Sequence, residues 1–181
     1  DWASINEYGK INKIMIIGMG GSAIGGDLAK VILQDNCLIP IFINRSYSIP
    51  KWVDENTLII ASSYSGNTEE TLSAFNKCHD RKCPIIILST GGLITKYASE
   101  MYLDKITMPK KFQPRAALGF SFTLIILLLK YFNFINEDIL NEIKKSIITM
   151  KKIKLDIPDS SNMALQIASE IYGTCPIIYG S

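Results

Sequence analysis

The sequence predicts an α/β fold, three layers deep, around a doubly wound parallel sheet, and three features predict it. Short β-branched apolar runs recur along the chain, helical patterns separate several of them, and glycines or hydroxyl residues crowd the places where a run gives way to a helix. Runs that are apolar at every residue, rather than at alternate ones, suit strands buried on both faces, as parallel strands are. Strands that alternate with helices then require right-handed βαβ connections.

The first run is "KIMIIG" (13–18), followed by helical spacing over 23–33. "IPIFIN" (39–44) and "TLIIAS" (57–62) come next, then a second helical pattern over 68–78 and the run "PIIILS" (84–89). "MYLDKI" (101–106) is a candidate fifth strand. After Pro114 the chain turns helical, with an apolar helix expected over 115–132 and an amphipathic one over 137–152. Pro158 and a cluster of cap-forming residues mark 154–162 as a linker.

Beyond the linker, "ASEIYGTCPIIYGS" (168–181) echoes "ASINEYGKINKIMIIGMGGS" (3–22): Ala-Ser, a helix-like turn, Tyr-Gly, then a run ending in Gly and Ser. The expected organisation is a first domain over 1–153 and, over 154–181, a linker with the start of a second, similar domain. A duplication of that kind would make this chain a piece of a longer protein.

Bulk properties exclude several classes. With 181 residues and 48% apolar content, the chain is one sizeable domain or one and a fraction. A net charge of +2, with basic residues spread out apart from Lys110–Lys111 and Lys144–Lys145, gives no reason to invoke nucleic acid. Cys37, Cys78, Cys83 and Cys175 include no Cys-x2-Cys pair, and His79 is the only histidine, so no metal site is expected. The cysteines read as reduced thiols of a cytoplasmic protein. The apolar core over 122–129 is far shorter than the ~20 residues of a membrane span, and the first residues carry no secretory pattern.

Two loops carry chemistry. In "IIGMGGSAIGGDL", Gly18, Gly20 and Ala23 fit the dinucleotide fingerprint, in which glycines admit a phosphate to a helix N-terminus. That fingerprint asks for an acid after the second strand, where this chain has Asn44-Arg45-Ser46; the arginine would suit NADP, so an NADP-dependent oxidoreductase is one alternative. The other loop, "SSYSGNT" (62–68), sets hydroxyls between the third run and a helix. A monophosphate needs several donors at once, and Ser63 and Ser65 would face the strand's C-terminal mouth. Asn67 and Glu70 have capping-box spacing, with the helix expected to begin near Thr68. Glu69 and Glu70 suit the helix dipole better than a role as base. A Ser-rich turn before a well-capped helix is the plainer reading of the same residues.

Together "GMGGSAIGGDL", "SSYSGNTEETL" and "QPRAALGFS" (113–121) resemble the sugar isomerase (SIS) domain, most of all that of the bifunctional phosphoglucose/phosphomannose isomerases of archaea and bacteria. The resemblance implies a five-stranded parallel sheet with helices on both sides. It also implies that Ser63, Ser65 and Thr68 hold the phosphate of a hexose 6-phosphate, that Gly21 and Ser22 touch the sugar phosphate, and that Arg115 steadies charge as an enediolate forms. No cofactor or metal is implied, and a homodimer is. In that family the catalytic glutamate, histidine and lysine belong to the second half, so this chain is expected to bind substrate and turn over little or none. His79, after a helix and away from every motif, is expected to be a surface histidine. A SIS module that senses sugar phosphates and regulates a partner is the other alternative.

Overall fold

The computed structural model describes residues 8–113, 116–156, 162–177 and 179. The chain divides into two compact units, Asp1–Ile135 and Asn136–Ser181.

The first unit is built on a five-stranded, wholly parallel sheet of order β2-β1-β3-β4-β5. Its strands are β1 (Lys13–Ile17), β2 (Ile41–Asn44), β3 (Thr57–Ser63), β4 (Ile85–Ser89) and β5 (Asp104–Thr107). The central strands are those with unbroken apolar runs, and the reason is visible in the register. Met15 pairs with Ile59 and Ile59 with Ile85, while Ile16 pairs with Ile60 and Ile60 with Ile86. Successive residues point to opposite faces, so both faces are apolar and both must be covered.

On one face, Met15, Ile17, Ile59, Ala61, Ile85 and Ile87 pack with Ala74, Phe75 and Cys78 of α2 (Glu69–Asp80) and with Ile94 and Ala98 of α3 (Gly92–Glu100). The other face, through Ile16, receives α1 (Gly20–Ile32), which presents Gly26 to it: a Cβ there would stand 2.9 Å from Ile43 and 3.1 Å from Ile16. A second glycine of α1, Gly25, lets α4 (Leu118–Tyr131) approach through Ser121. Helices on both faces of a parallel sheet make the expected three-layer fold.

Four details depart from the sequence reading. Helix α1 starts at Gly20 rather than near residue 23. Strand β5 starts at Asp104 rather than 101, because Met101 and Tyr102 close α3: the Leu103 N–H reaches the Ala98 carbonyl at 2.8 Å over a left-handed Tyr102 (φ 53°). Helix α3 itself carries no pattern strong enough to have been predicted. The helix after Pro114 is described from Leu118, its expected start at Arg115 lying outside the described residues.

In the second unit, α5 (Glu137–Asp156) runs four residues past its expected end, into the segment read as linker. Helix α6 (Met163–Ile171) is capped by Asn162, whose side-chain oxygen accepts from the Ala164 N–H at 2.8 Å. Residues 174–177, where the echo of the opening would place a strand, form none. A parallel strand exists only through pairing, and this unit has no described strand for it to pair with. No described helix is long and apolar enough to cross a membrane.

Candidate functional site

In the order 2-1-3-4-5 the winding reverses between β1 and β3, and parallel sheets take ligands in the crevice outside the strand ends at such a point. Both loops singled out in the sequence leave the sheet there, one after Ile17 and the other after Ser63.

They are pressed together by a glycine. A Cβ on Gly18 would come within 2.7 Å of the Ser62 carbonyl oxygen, so only glycine fits without moving main chain. Because α1 begins at Gly20, Gly21 and Ser22 lie in its first turn. The Ser22 hydroxyl accepts from the Tyr64 N–H at 3.2 Å and so bridges the two loops.

Within the second loop the hydroxyls are not equivalent. Ser63 is 2% exposed; its Oγ accepts from the Gly66 N–H at 3.1 Å and lies 3.2 Å from the Thr68 Oγ1. A hydroxyl has one proton to give. If Ser63 gives its proton to Thr68, the Thr68 proton is left for an outer acceptor. Ser65 is exposed, and its Oγ accepts from the Asn67 N–H at 3.3 Å, which likewise leaves its proton unspent. The three expected phosphate ligands are thus together, with Ser65 and Thr68 at the surface and Ser63 beneath them.

The expected capping box does not form. Thr68 occupies the cap position of α2, and no side chain caps it. The Asn67 Oδ1 instead accepts from the Leu93 N–H at 2.9 Å. That amide belongs to the first turn of α3, whose own cap residue is Gly91 and has no side chain to offer. Asn67 therefore caps a different helix from the one it precedes.

This exposes a third loop that sequence reasoning missed, "STGG" (89–92). The Ser89 hydroxyl donates to the Gly91 carbonyl at 2.8 Å, and Thr90 reaches the Tyr64 carbonyl through both its N–H (3.2 Å) and its hydroxyl (2.8 Å). Ile94 N–H donates to the Gly66 carbonyl at 3.0 Å. Paired glycines after an apolar run were the available signal.

A fourth segment closes the side of the site. Met108 N–H donates to the Ser89 carbonyl at 2.8 Å, and residues 109–113 then pass beside Tyr64. Gly21, Ser22, Tyr64, Met108, Ala117 and Ser121 line a crevice here that is too narrow for a water molecule. A larger cavity of about 580 Å³ lies along β5 and α4, lined mainly by Ile106, Leu124, Leu127, Leu128 and Tyr131. Its lining is mostly aliphatic, it lies away from both loops, and its Lys105 is already hydrogen-bonded to Ser99 at 2.6 Å. Arg115 lies outside the described residues.

The remaining candidates are placed as follows. Glu69 and Glu70 sit in the first turn of α2, facing Tyr47, whose phenol is pushed up by desolvation and then by these two carboxylates. His79 is in the last turn of α2, at the other end from the loop, with its ring over Phe75. Arg45, which the NADP alternative needs, is ion-paired with Asp27 of α1. No group of three or more metal-ligating side chains occurs among the described residues.

Comparison with known proteins adds to this geometry. The chain is 42% identical over 173 residues to the bifunctional phosphoglucose/phosphomannose isomerase of Caldicellulosiruptor bescii, covering 94% of this chain and 51% of the relative. It is 34% identical over 177 residues to the protein of that name from Thermoplasma volcanium, covering 97% and 53%. In fold it matches the C-terminal domain of glucosamine-fructose-6-phosphate aminotransferase from Francisella tularensis, with a TM-score of 0.62 at 18% identity, over 89% of this chain and 46% of that one. No protein-family model matches the sequence. The chain spans about half the length of the curated relatives it matches, and the resemblance carried by its three motifs is borne out.

Proposed function

We propose that this homologue of bifunctional phosphoglucose/phosphomannose isomerases is the sugar-phosphate-binding half of a longer aldose–ketose isomerase, which interconverts glucose 6-phosphate and mannose 6-phosphate with fructose 6-phosphate. The observation that carries the reading is the meeting of two loops at the ends of β1 and β3, joined by the Ser22–Tyr64 hydrogen bond. Between them the two loops carry hydroxyls and lead into the N-termini of α1 and α2.

In this reading the phosphate rests on Ser65 and Thr68, with Ser63 orienting Thr68 from below. The helix dipoles add roughly 0.3–1 kcal/mol each at an exposed site. Gly21 and Ser22 meet the sugar phosphate from the first loop. Arg115, two residues beyond the segment at Tyr64, is proposed to stabilise charge on the enediolate, as the resemblance implies. Proton transfer between adjacent carbons needs a carboxylate base, and ring opening a further acid–base group. Both are assigned to the second half, whose start is proposed within residues 154–181, so this chain alone binds without appreciable turnover. The whole protein is proposed to act as a homodimer.

Calorimetric titration with fructose 6-phosphate, with Ser65→Ala and with NADP as control, tests the reading. Binding in the ~µM to mM range, about −8 to −4 kcal/mol, that weakens in the variant is the expected result. Heat with NADP and none with the sugar phosphate would return the glycine loop to dinucleotide chemistry.

A further inference from the structure

Tyr64 stands between the two hydroxyl residues Ser63 and Ser65, and its main chain is held on both sides. Its N–H donates to Ser22, and its carbonyl accepts both donors of Thr90. The side chain therefore leaves from a fixed point. Its hydroxyl donates to the Pro109 carbonyl at 2.9 Å and accepts from the Phe112 N–H at 3.0 Å.

Those two partners flank the bend at Lys110 and Lys111, three positions apart as the ends of a tight turn would be. In a closed β-turn the first carbonyl and the fourth amide bond to each other. Here a phenol supplied by a residue 45 and 48 positions earlier in the chain is inserted between them. The Tyr64 hydroxyl thus bridges the two ends of the turn.

The turn is also costly in itself. Lys111 has φ 75°, the left-handed region that a side chain disfavours. Such residues persist where surrounding structure over-determines them, and they cluster at working sites. Downstream, the Phe112 ring packs at a tilt against Phe120 of α4, with centroids 5.1 Å apart and planes 59° apart, and the Gln113 carbonyl accepts from the Ala117 N–H at 3.1 Å. The segment is thus fixed to the phosphate loop at one end and to α4 at the other.

We propose that Tyr64 is a positioning residue: the hydroxyl shared by Pro109 and Phe112 sets the 109–113 turn against the phosphate loop, so that the sugar end of the ligand meets a wall placed by the residues that hold its phosphate. This rests on the sugar-phosphate reading given above. It makes a distinction that packing alone would not. The aromatic ring is enough to fill space, whereas only the hydroxyl can satisfy both partners of the turn.

Tyr64→Phe in this full chain separates the two. Hydrogen exchange of the Phe112 amide, measured without ligand, should quicken by about tenfold as its acceptor is lost. By calorimetry, the Kd for fructose 6-phosphate should rise about tenfold while that for inorganic phosphate stays within about twofold; the retained phosphate binding reports that the variant is folded. Equal weakening for both ligands would overturn the proposal, making Tyr64 a part of the phosphate loop only. So would an unchanged Phe112 amide, or unchanged affinity for both ligands. Wild-type protein that binds neither ligand would overturn the functional reading and this inference with it, a result distinct from wild-type binding that the variant leaves intact.

Discussion

The main chains of Gly66 and Gly91 are in contact: a Cβ built on Gly66 would stand 1.8 Å from the Gly91 carbonyl oxygen. The loops after β3 and β4 are therefore one packed object rather than two neighbours. Gly92 repeats the relationship in reverse, since a Cβ there would lie 2.4 Å from the Ser65 carbonyl oxygen.

Gly66→Ala should be among the most damaging single changes in the first unit. It combines a left-handed backbone (φ 73°) with a clash that no side-chain rotation relieves, and about 3 kcal/mol or more of stability should go. Gly20→Ala is the internal control. Its φ is 51°, but nothing lies within 4 Å of the added methyl, so about 1 kcal/mol is expected from the backbone alone. Urea denaturation of both variants decides; equal losses would mean that the contact between the loops contributes nothing.

Asn67 should behave as a helix cap for α3. Asn67→Ala removes the oxygen that receives the Leu93 N–H and should cost about 1 kcal/mol. Asn67→Asp keeps that oxygen and adds a charge favourable to the helix N-terminus, so stability should hold. The same carboxylate would repel a bound phosphate, and affinity for fructose 6-phosphate should fall several-fold. Thermal melts paired with calorimetry test the split, and a stable Ala variant beside an unstable Asp variant would rule out the capping role.

Acid should find Asp54. Its carboxyl is held below the usual aspartate range, first by the Thr57 hydroxyl (2.9 Å), then by Lys13 (3.3 Å) and the Asn56 N–H (3.1 Å), against an opposing desolvation. The folded state therefore gives up the proton more readily than the unfolded chain. The stabilisation is present above the ordinary value of about 4 and is lost as pH falls through the lower folded value. Tm followed between about pH 2 and 6 should drop more steeply for wild type than for Asp54→Asn; parallel curves would refute the assignment.

The thiols should react in order of exposure. Cys175 is exposed, whereas Cys78 is wholly buried and its thiol is pushed up by hydrogen bonding with Cys83 and by burial. The two meet because the end of α2 is closed by a bond from the Cys83 N–H to the Cys78 carbonyl at 3.1 Å, over a left-handed Lys82. Burial also raises Cys37. Brief alkylation near neutral pH, read by peptide mass, should label Cys175 first and Cys78 only on unfolding; early labelling of Cys78 would contradict the packing.

What the sequence revealed follows from the range of each interaction. Strands β1, β3 and β4 were legible because burial on both faces writes itself as an unbroken apolar run. Strand β5, "DKIT" at the sheet edge with alternate burial, has no such run, and its start depends on how α3 ends. Helix α3 is nine residues long and opens on two glycines, with its cap supplied by Asn67 from another loop; no local pattern records that. At the site, residue types were legible and their division of work was not. Nothing around Ser63 in sequence announces that it is buried, and the partners of Tyr64 come from far along the chain.

The strand order has a consequence for synthesis. In 2-1-3-4-5 each strand after the second is laid beside one already made, and β1, β3 and their β4 neighbour are complete by Ser89. Translation runs from that end, so the loops proposed to hold the phosphate can assemble on the ribosome before α5 and α6 have left the exit tunnel. Nascent chains arrested with residue 135 clear of the exit tunnel should already protect the 62–68 loop from protease, and cleavage there would show that assembly waits for the rest.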